Sequence, residues 1–491
     1  MNPAEMILEL EPRTLWKHFA ELNAIPRPSK KEERIVAFMR AFGEDLGLET
    51  RVDDIGNVII RKPAAPGMED RVGIVLQGHL DMVHQKNAGT DFDFDSQGIR
   101  MRVEGDWVAA DGTTLGADNG IGVATIMAIL ASDDIPHPAI EALFTVDEET
   151  GMTGATGLKK DVLSGSILLN LDTEDDTELT IGCAGAVNVL VNGRYDEEQA
   201  EPGEAAFLLR VRGLTGGHSG MDIHRGRANA NKSLNRLLFL AQENLGLRIA
   251  SIEAGGLRNA IPREARACIS ISASRAAALK EFIENEAATL KTEYAATDPG
   301  LEVCLDPCEP PDALLGAQFQ RQLLSSVYTC PNGIFRMSPE IEGLVQTSNN
   351  LAKVAVADGA YQIHCLVRSA LDSEKLDLAR AIRCSFEPIG ARVEFSGSYP
   401  GWTPRPDAPI VKLMSDLYLD MFGEKPSVLA CHAGLECGIV GARYPEMQMI
   451  SFGPTIRGAH SPDERVQISS VQKFWRFLRA TLEKIPRKPL E

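Results

Sequence analysis

His79, Asp118, Glu149, Asp172 and His460 offer two imidazoles and three carboxylates at points spread along the chain. Imidazole and carboxylate together suit zinc, cobalt or manganese, and the lack of a thiolate argues against a structural zinc site. Five donors exceed what one four-coordinate zinc can use while keeping a position open for water. They fit two metal ions that share one carboxylate. Asp118 is the natural bridge, because the glycines around it in "TTLGADNGIG" let the backbone approach closely. Two such ions about 3.5–4 Å apart hold a water between them and clamp a substrate oxygen. Glu148 adjoins Glu149. Neighbours at an irregular strand end diverge, so one can bind metal while the other stays free as a general base that passes a proton to a leaving amine. The chemistry that this set suits is metal-assisted hydrolysis of an amide.

These residues need elements that hold them still. "VGIVLQ" runs into "GHLDMVHQK". Residues i and i+2 of a strand point the same way, so His79 and Asp81 leave its end together, one to bind and one to steady. "IEALFTV" ends in Asp147-Glu148-Glu149, "SILLNL" in Asp172, and "MQMISF" leads to the loop that reaches His460. Asp118 precedes a helix bearing Ile121, Ile126 and Ile129. Strands this apolar predict burial on both faces, as in a mostly parallel α/β sheet. In open α/β sheets ligands bind at the carboxyl ends of the strands, which is where the charged residues collect. Taken singly, each is weak: a lone histidine is more often structural than a ligand, the reading given to His84, His137, His224 and His364. Upstream, Ser29 and Glu32 in "SKKEERIVAFMRAFGEDLG" have capping-box spacing, and Ile35, Phe38, Met39, Phe42 and Leu46 follow helical spacing.

The middle of the chain reads as an insert. "AAFLLRVRGL" alternates like an antiparallel strand, with Phe207, Leu209 and Val211 on one face. Helix–strand–strand–helix patterns then occur twice, predicting two α+β units in series. "SYPGWTPRPDAP" returns the chain to the first domain. The expected organisation is a catalytic domain in two pieces, 1–200 and 399–491, around a domain over 201–398.

"GHLDMV", "TTLGADNGIG", "DEETGMTGA", "LDTED" and "GPTIRGAHSPDE" resemble, in that order, the motifs of the two-zinc amidohydrolases that include carboxypeptidases, aminoacylases and dipeptidases. "LQGHLDMV", "GCAGA", "GLTGGHSG", "LRNAIPREA", "YPGW" and "HAGLECG" resemble the aminoacyl-histidine (Xaa-His) dipeptidases. The resemblance spans nearly the whole chain. It implies a dipeptidase that prefers Xaa-His, β-alanyl-histidine included, with two Zn2+ per chain, for which Co2+ or Mn2+ could substitute. It implies that His79 and Asp172 hold one ion, that Glu149 and His460 hold the other, and that Asp118 bridges. Asp81 matches the second catalytic acid, which would fix the tautomer of His79. Glu148 matches the general base. The insert matches a lid domain, whose His218 would stabilise an oxyanion and whose Asn259, Arg368 and Gly434 would hold substrate. A bidentate Arg368 suits the carboxylate of a short peptide. Family habit implies a homodimer. The rival readings are a broader dipeptidase, a tripeptidase or a deacylase of the same clan. A further rival is a non-catalytic binding protein, against which the intact Glu148 and ligand set argue.

The totals agree with this class. The 491 residues are 44% apolar and 24% charged, the composition of a soluble globular chain with two or three domains. A net charge of −19 repels phosphate backbones and anionic lipid, which argues against nucleic-acid and membrane partners. The first residues lack a basic segment followed by an apolar one, so no signal peptide is expected. Nine cysteines form no CxxC pair, which predicts reduced thiols in a cytoplasmic protein.

Overall fold

A computed structural model describes residues 3–488. The chain divides into two compact units. The first comprises the described residues up to Gly182, with Trp402–Ala430 and those from Leu435 onward; the second comprises Cys183–Gly401 and Cys431–Gly434.

The first unit is built on an eight-stranded sheet. Its order is Glu49–Val52, Val58–Lys62, Ile140–Thr145, Ile74–His79, Ile167–Asn170, Gln448–Ser451, Glu178–Cys183 and Ser427–Cys431. The four strands from Ile140–Thr145 to Gln448–Ser451 are parallel, and antiparallel pairs flank them. Every residue of Ile74–His79, Ile140–Thr145 and Ile167–Asn170 is buried, which is why these strands read as unbroken apolar runs. Each fully buried Val, Leu or Ile there stabilises the fold by about 1.5–3 kcal/mol. The helix Ala117–Leu130 is buried on nearly all sides, so its sequence shows no polar stripe. A smaller four-stranded sheet contains the hairpin Ile456–Arg457 and Arg465–Gln467, whose loop carries His460.

The second unit has a nine-stranded antiparallel sheet and the helices Ala230–Leu245, Ala276–Glu293, Ala317–Thr329 and Asp372–Phe386. Asn229 caps the first of these helices, its side chain accepting from the Asn231 and Lys232 amides. Leu234, Leu237, Leu238 and Ala241 repeat along that helix and join Val187, Val189, Val191, Leu209 and Val211 from the strands in one core. The two expected α+β sets meet where Arg248–Gly255 pairs with Val345–Ala357, which makes one sheet of them. The unit also begins earlier than 201. Gly185–Arg194 pairs on both sides with its strands Ala360–Ser369 and Arg392–Tyr399, so the boundary falls at Gly182.

Candidate active site

The parallel strands deliver their charged residues to one edge. His79 ends Ile74–His79 in register with Thr145. Glu148 and Glu149 follow Thr145 on a one-turn helix, reached through Asp147 in a left-handed conformation (φ 53°). Asp172 lies two residues past Asn170. Asp118 sits in the distorted first turn of Ala117–Leu130, and its peptide bond to Asn119 is cis. His460 is also left-handed (φ 63°), a conformation that histidine adopts more readily than most residues.

Asp118 faces both histidines, one oxygen to each. Its Oδ1 is 3.1 Å from His79 Nε2 and its Oδ2 is 3.2 Å from His460 Nε2. Asp172 Oδ1 is 3.4 Å from His79 Nε2, and Glu149 Oε2 is 3.0 Å from His460 Nε2. The five residues thus form two three-donor groups that share Asp118: His79–Asp118–Asp172 and Asp118–Glu149–His460. A third group joins His79 with both Glu148 and Glu149.

On its other side, the His79 ring turns Nδ1 toward Asp81, 3.2 Å from the carbonyl and 3.4 Å from Oδ1. A hydrogen donated there leaves the Nε2 lone pair aimed at the carboxylates. Asp172 Oδ1 and Glu149 Oε1 are buried without a hydrogen-bond partner. Lone pairs and orphaned carboxylate oxygens converging in one buried place fit divalent cations.

The electrostatics follow from that crowding. Burial pushes the Asp172 carboxyl up to about 6, with Asp118 and Glu149 adding to the rise. Burial also lifts Glu148 well above the ordinary carboxylate range; His79 opposes this, and Asp172, Glu149 and Glu436 reinforce it. Hydrogen bonds to Asp118 and Glu149 carry His460 up to about 11. Burial works against Asp118, yet its contacts with His460 and His79 bring its carboxyl well below the usual range. Among the described residues, none hydrogen-bonds the Glu148 carboxylate, whereas Glu149 is engaged with His460.

Several residues that shape the site are not apparent from sequence. Asp81 contacts more than His79: its Oδ1 accepts from the Glu148 amide at 3.0 Å and its Oδ2 from the Glu149 amide at 3.2 Å. Ser29 donates to Asp81 Oδ2 at 2.8 Å, and Glu32 accepts from the Asp147 amide at 3.1 Å. The capping box expected of Ser29 and Glu32 therefore does not form: Glu33–Asp45 starts without a side-chain cap, because both residues are committed to the site. One layer deeper, Glu436 accepts from Gln77 at 2.5 Å and from Thr145 at 2.6 Å, and Asn170 donates to Gln77. This buried row ties three strands together one step before they release His79, Glu148 and Asp172. Burial, with Asp172 and Asp81 adding to it, pushes the Glu436 carboxyl up to about 7. No spacing in the sequence links these residues, since their partners lie tens to hundreds of positions away.

The other four expected residues, His218, Asn259, Arg368 and Gly434, fall in the second unit. Arg368 is 5% exposed, yet among the described residues no carboxylate lies within ion-pair distance of it. Its guanidinium meets Ser219 Oγ at 3.4 Å, Tyr399 Oη at 3.3 Å and His218 Nε2 at 3.5 Å. His218 Nδ1 accepts from the Gly220 and Met221 amides at 3.2 and 3.0 Å, which holds the ring beside Arg368. Asn259 is exposed, and its carbonyl accepts from the Ser219 amide at 2.7 Å. Gly434 is half-buried, next to Ala433, whose carbonyl accepts from the Ala184 amide. His432, which the sequence did not single out, is buried with Nε2 2.7 Å from Ser348 Oγ.

Residues 75–484 match Peptidase family M20/M25/M40, and the chain belongs to that family of peptide hydrolases. It is 42% identical over 480 residues to the cytosol non-specific dipeptidase of Escherichia coli K12, covering 98% of this chain and 99% of that protein. Among solved structures it is similar to the aminoacylhistidine dipeptidase of Vibrio alginolyticus, with 43% identity, a TM-score of 0.90 and 98% of each chain covered. It shares its fold with aminopeptidase PepT of Bacillus cereus, at 17% identity and a TM-score of 0.56. No described helix is long and apolar enough to cross a membrane.

Proposed function

We propose that this protein is a cytoplasmic metal-dependent dipeptidase that hydrolyses dipeptides, with a preference for Xaa-His. The observation that carries the reading is the two-sided Asp118, with one carboxylate oxygen facing His79 and the other facing His460. In this reading His79 and Asp172 hold one divalent cation, Glu149 and His460 the other, and Asp118 both; the donor chemistry favours zinc. When bound, such a pair polarises the scissile carbonyl and makes a water more acidic.

The protein's own groups do the rest. Glu148 takes a proton from the attacking water on a carboxylate oxygen and returns it to the leaving nitrogen as the C–N bond breaks. Its lifted pKa suits an acid that must hold that proton between the two events. Asp81 positions both the ligand His79 and the turn that presents Glu148. Arg368, a buried cation that no carboxylate of the described residues meets, suits the C-terminal carboxylate of a dipeptide. His218, held beside Arg368 by the Gly220 and Met221 amides, is assigned to a developing oxyanion. Asn259 and Gly434 complete the substrate-holding set. We infer also that the first unit is catalytic and the second a lid, and that the active form is a homodimer, as the resemblance to the dipeptidase motifs implies.

The Vibrio relative is named for aminoacylhistidine and the Escherichia coli relative as non-specific, so a broader dipeptidase is the competing reading. Specificity constants on a panel of Xaa-His, Xaa-Ala and Xaa-Gly dipeptides, tripeptides and acyl-amino acids decide between them. Dipeptides ending in histidine should lead. Equal turnover across the dipeptides would leave the histidine preference without support, and faster tripeptide cleavage would refute the dipeptidase reading.

A further inference from the structure

The loop that presents Asp118 lies between two buried charges of opposite sign, and each ties it to a different part of the site. Glu464 is 2% exposed and stands four residues beyond His460. Its Oε2 accepts from the Leu115 amide at 2.7 Å and the Gly116 amide at 2.9 Å; its Oε1 accepts from the Ala117 amide at 2.7 Å and the Asp118 amide at 3.2 Å. Four successive amides turned toward one carboxylate form an anion-binding nest, which needs the left-handed Gly116 (φ 69°) at its bend. Arg27, also 2% exposed, takes the carbonyl side. It donates to the Gly116 carbonyl at 2.6 Å and to the carbonyls of Leu80 and Asp81 at 3.0 and 3.2 Å. A Cβ at Gly116 would come within 2.6 Å of that guanidinium, so a side chain there would displace Arg27 from the loop.

Glu464 therefore joins the Asp118 loop to the His460 loop, and Arg27 joins it to the end of the His79 strand. The carboxylate of Asp118 divides along the same line, with Oδ2 toward His460 and Oδ1 toward His79. We propose that Glu464 and Arg27 are positioning residues that set the two halves of the Asp118 bridge separately, Glu464 serving the cation held with Glu149 and His460, and Arg27 the cation held with His79 and Asp172. The inference rests on the two-cation reading above and adds that each half has its own support. A clamp that merely kept the loop folded would affect both cations alike.

The test measures Co2+ binding to metal-free protein by calorimetry, with each half isolated by removing a histidine from the other. His79→Ala leaves the Glu149/His460 half, and His460→Ala leaves the His79/Asp172 half. Outer partners of metal ligands set affinity over about 10–100-fold, so Glu464→Gln should weaken Co2+ by about tenfold or more in the His79→Ala background and by less than about twofold in the His460→Ala background. Arg27→Lys, which keeps the charge but loses the fork, should show the reverse pattern. Should Glu464→Gln not yield folded protein, Glu464→Asp withdraws the carboxylate from the nest and is read in the same way. Equal weakening in both backgrounds, or none in either, overturns the inference. Wild-type protein that takes up two Co2+ without the crossed pattern overturns the inference alone. Wild-type protein that takes up fewer than two overturns the two-cation reading and the inference together.

Discussion

Arg368→Ala probes substrate recognition most directly, because the structure sets its expected size. The guanidinium is buried and meets neutral groups: a serine hydroxyl, a phenol and an imidazole. A peptide carboxylate that reached it would pair in a place largely stripped of water. Removing one partner of such a pair costs about 2–5 kcal/mol. At about 1.4 kcal/mol per tenfold, kcat/KM for a dipeptide should fall by roughly 30- to 4000-fold. The C-terminal amide of the same dipeptide offers no anion, and losing a hydrogen bond between a cation and a neutral group costs about 1.5–3 kcal/mol, or roughly 10- to 140-fold. The informative quantity is therefore the acid-to-amide ratio, measured by product release on matched substrates. Arg368→Lys should recover part of the loss on the acid, since it restores the charge but not the planar fork. Thermal unfolding supplies the control. Arg368→Ala removes a buried cation that meets no carboxylate among the described residues, so the free protein should keep its Tm or gain slightly. Equal losses on acid and amide, with a fall in Tm, would show that Arg368 supports the fold and does not read the carboxylate.

Glu148→Ala should lower kcat by about 10²–10⁴-fold with metal content unchanged, whereas Glu149→Ala should lose metal; elemental analysis and turnover on the same preparations separate the two. Asp118→Ala should reduce uptake of both cations, and chelation of the wild type should abolish activity that added Zn2+ restores. A stoichiometry of one metal per chain under replete conditions would contradict the shared carboxylate. Burial, with Arg368 and His218 beside it, pushes the His432 imidazole down to about 3 from its ordinary 6.5. The unfolded chain then takes up the proton first, so this contribution to stability is complete above the ordinary value and is lost as pH falls toward the lowered one. In denaturant unfolding between those limits, His432→Gln should flatten the pH slope by up to about 1.4 kcal/mol per pH unit, and superimposable profiles would exclude the effect.

The sequence discloses the parts of the site that break a local pattern. His79 and Asp172 interrupt apolar strands, and Asp118 sits among glycines ahead of a helix; each is a polar residue where the surrounding run demands burial. What stays hidden is whatever depends on pairing across the fold. Glu464 reads as one more acid in "HSPDE", and nothing near it says that its partners are amides some 350 positions earlier. Ser29 and Glu32 mislead for a related reason: their spacing satisfies a local rule, but the buried Asp81 and the Asp147 amide compete for them and win. In the second unit the strands are readable from alternation, but the pairing that fuses two motifs into one sheet is a matter of register between distant segments.

The interrupted path of the first unit also bears on how the protein is made. Strand Gln448–Ser451 lies between Ile167–Asn170 and Glu178–Cys183 in the sheet, yet it comes after the whole second unit in the chain. As a ribosome passes Gly401, the nascent first unit holds Ile167–Asn170 as an open edge. Every residue of that edge is destined for burial, and it is the kind of unpaired strand that recruits foreign partners. At about 5–20 residues per second, the stretch from Trp402 to Ser451 takes roughly 2.5–10 s to appear, during which the second unit, nearly all of it already synthesised, is free to fold. Translation that stops early would release a chain with that edge uncovered and without His460 or the Glu464 that braces Asp118, a product fit for a chaperone or a protease and not for catalysis.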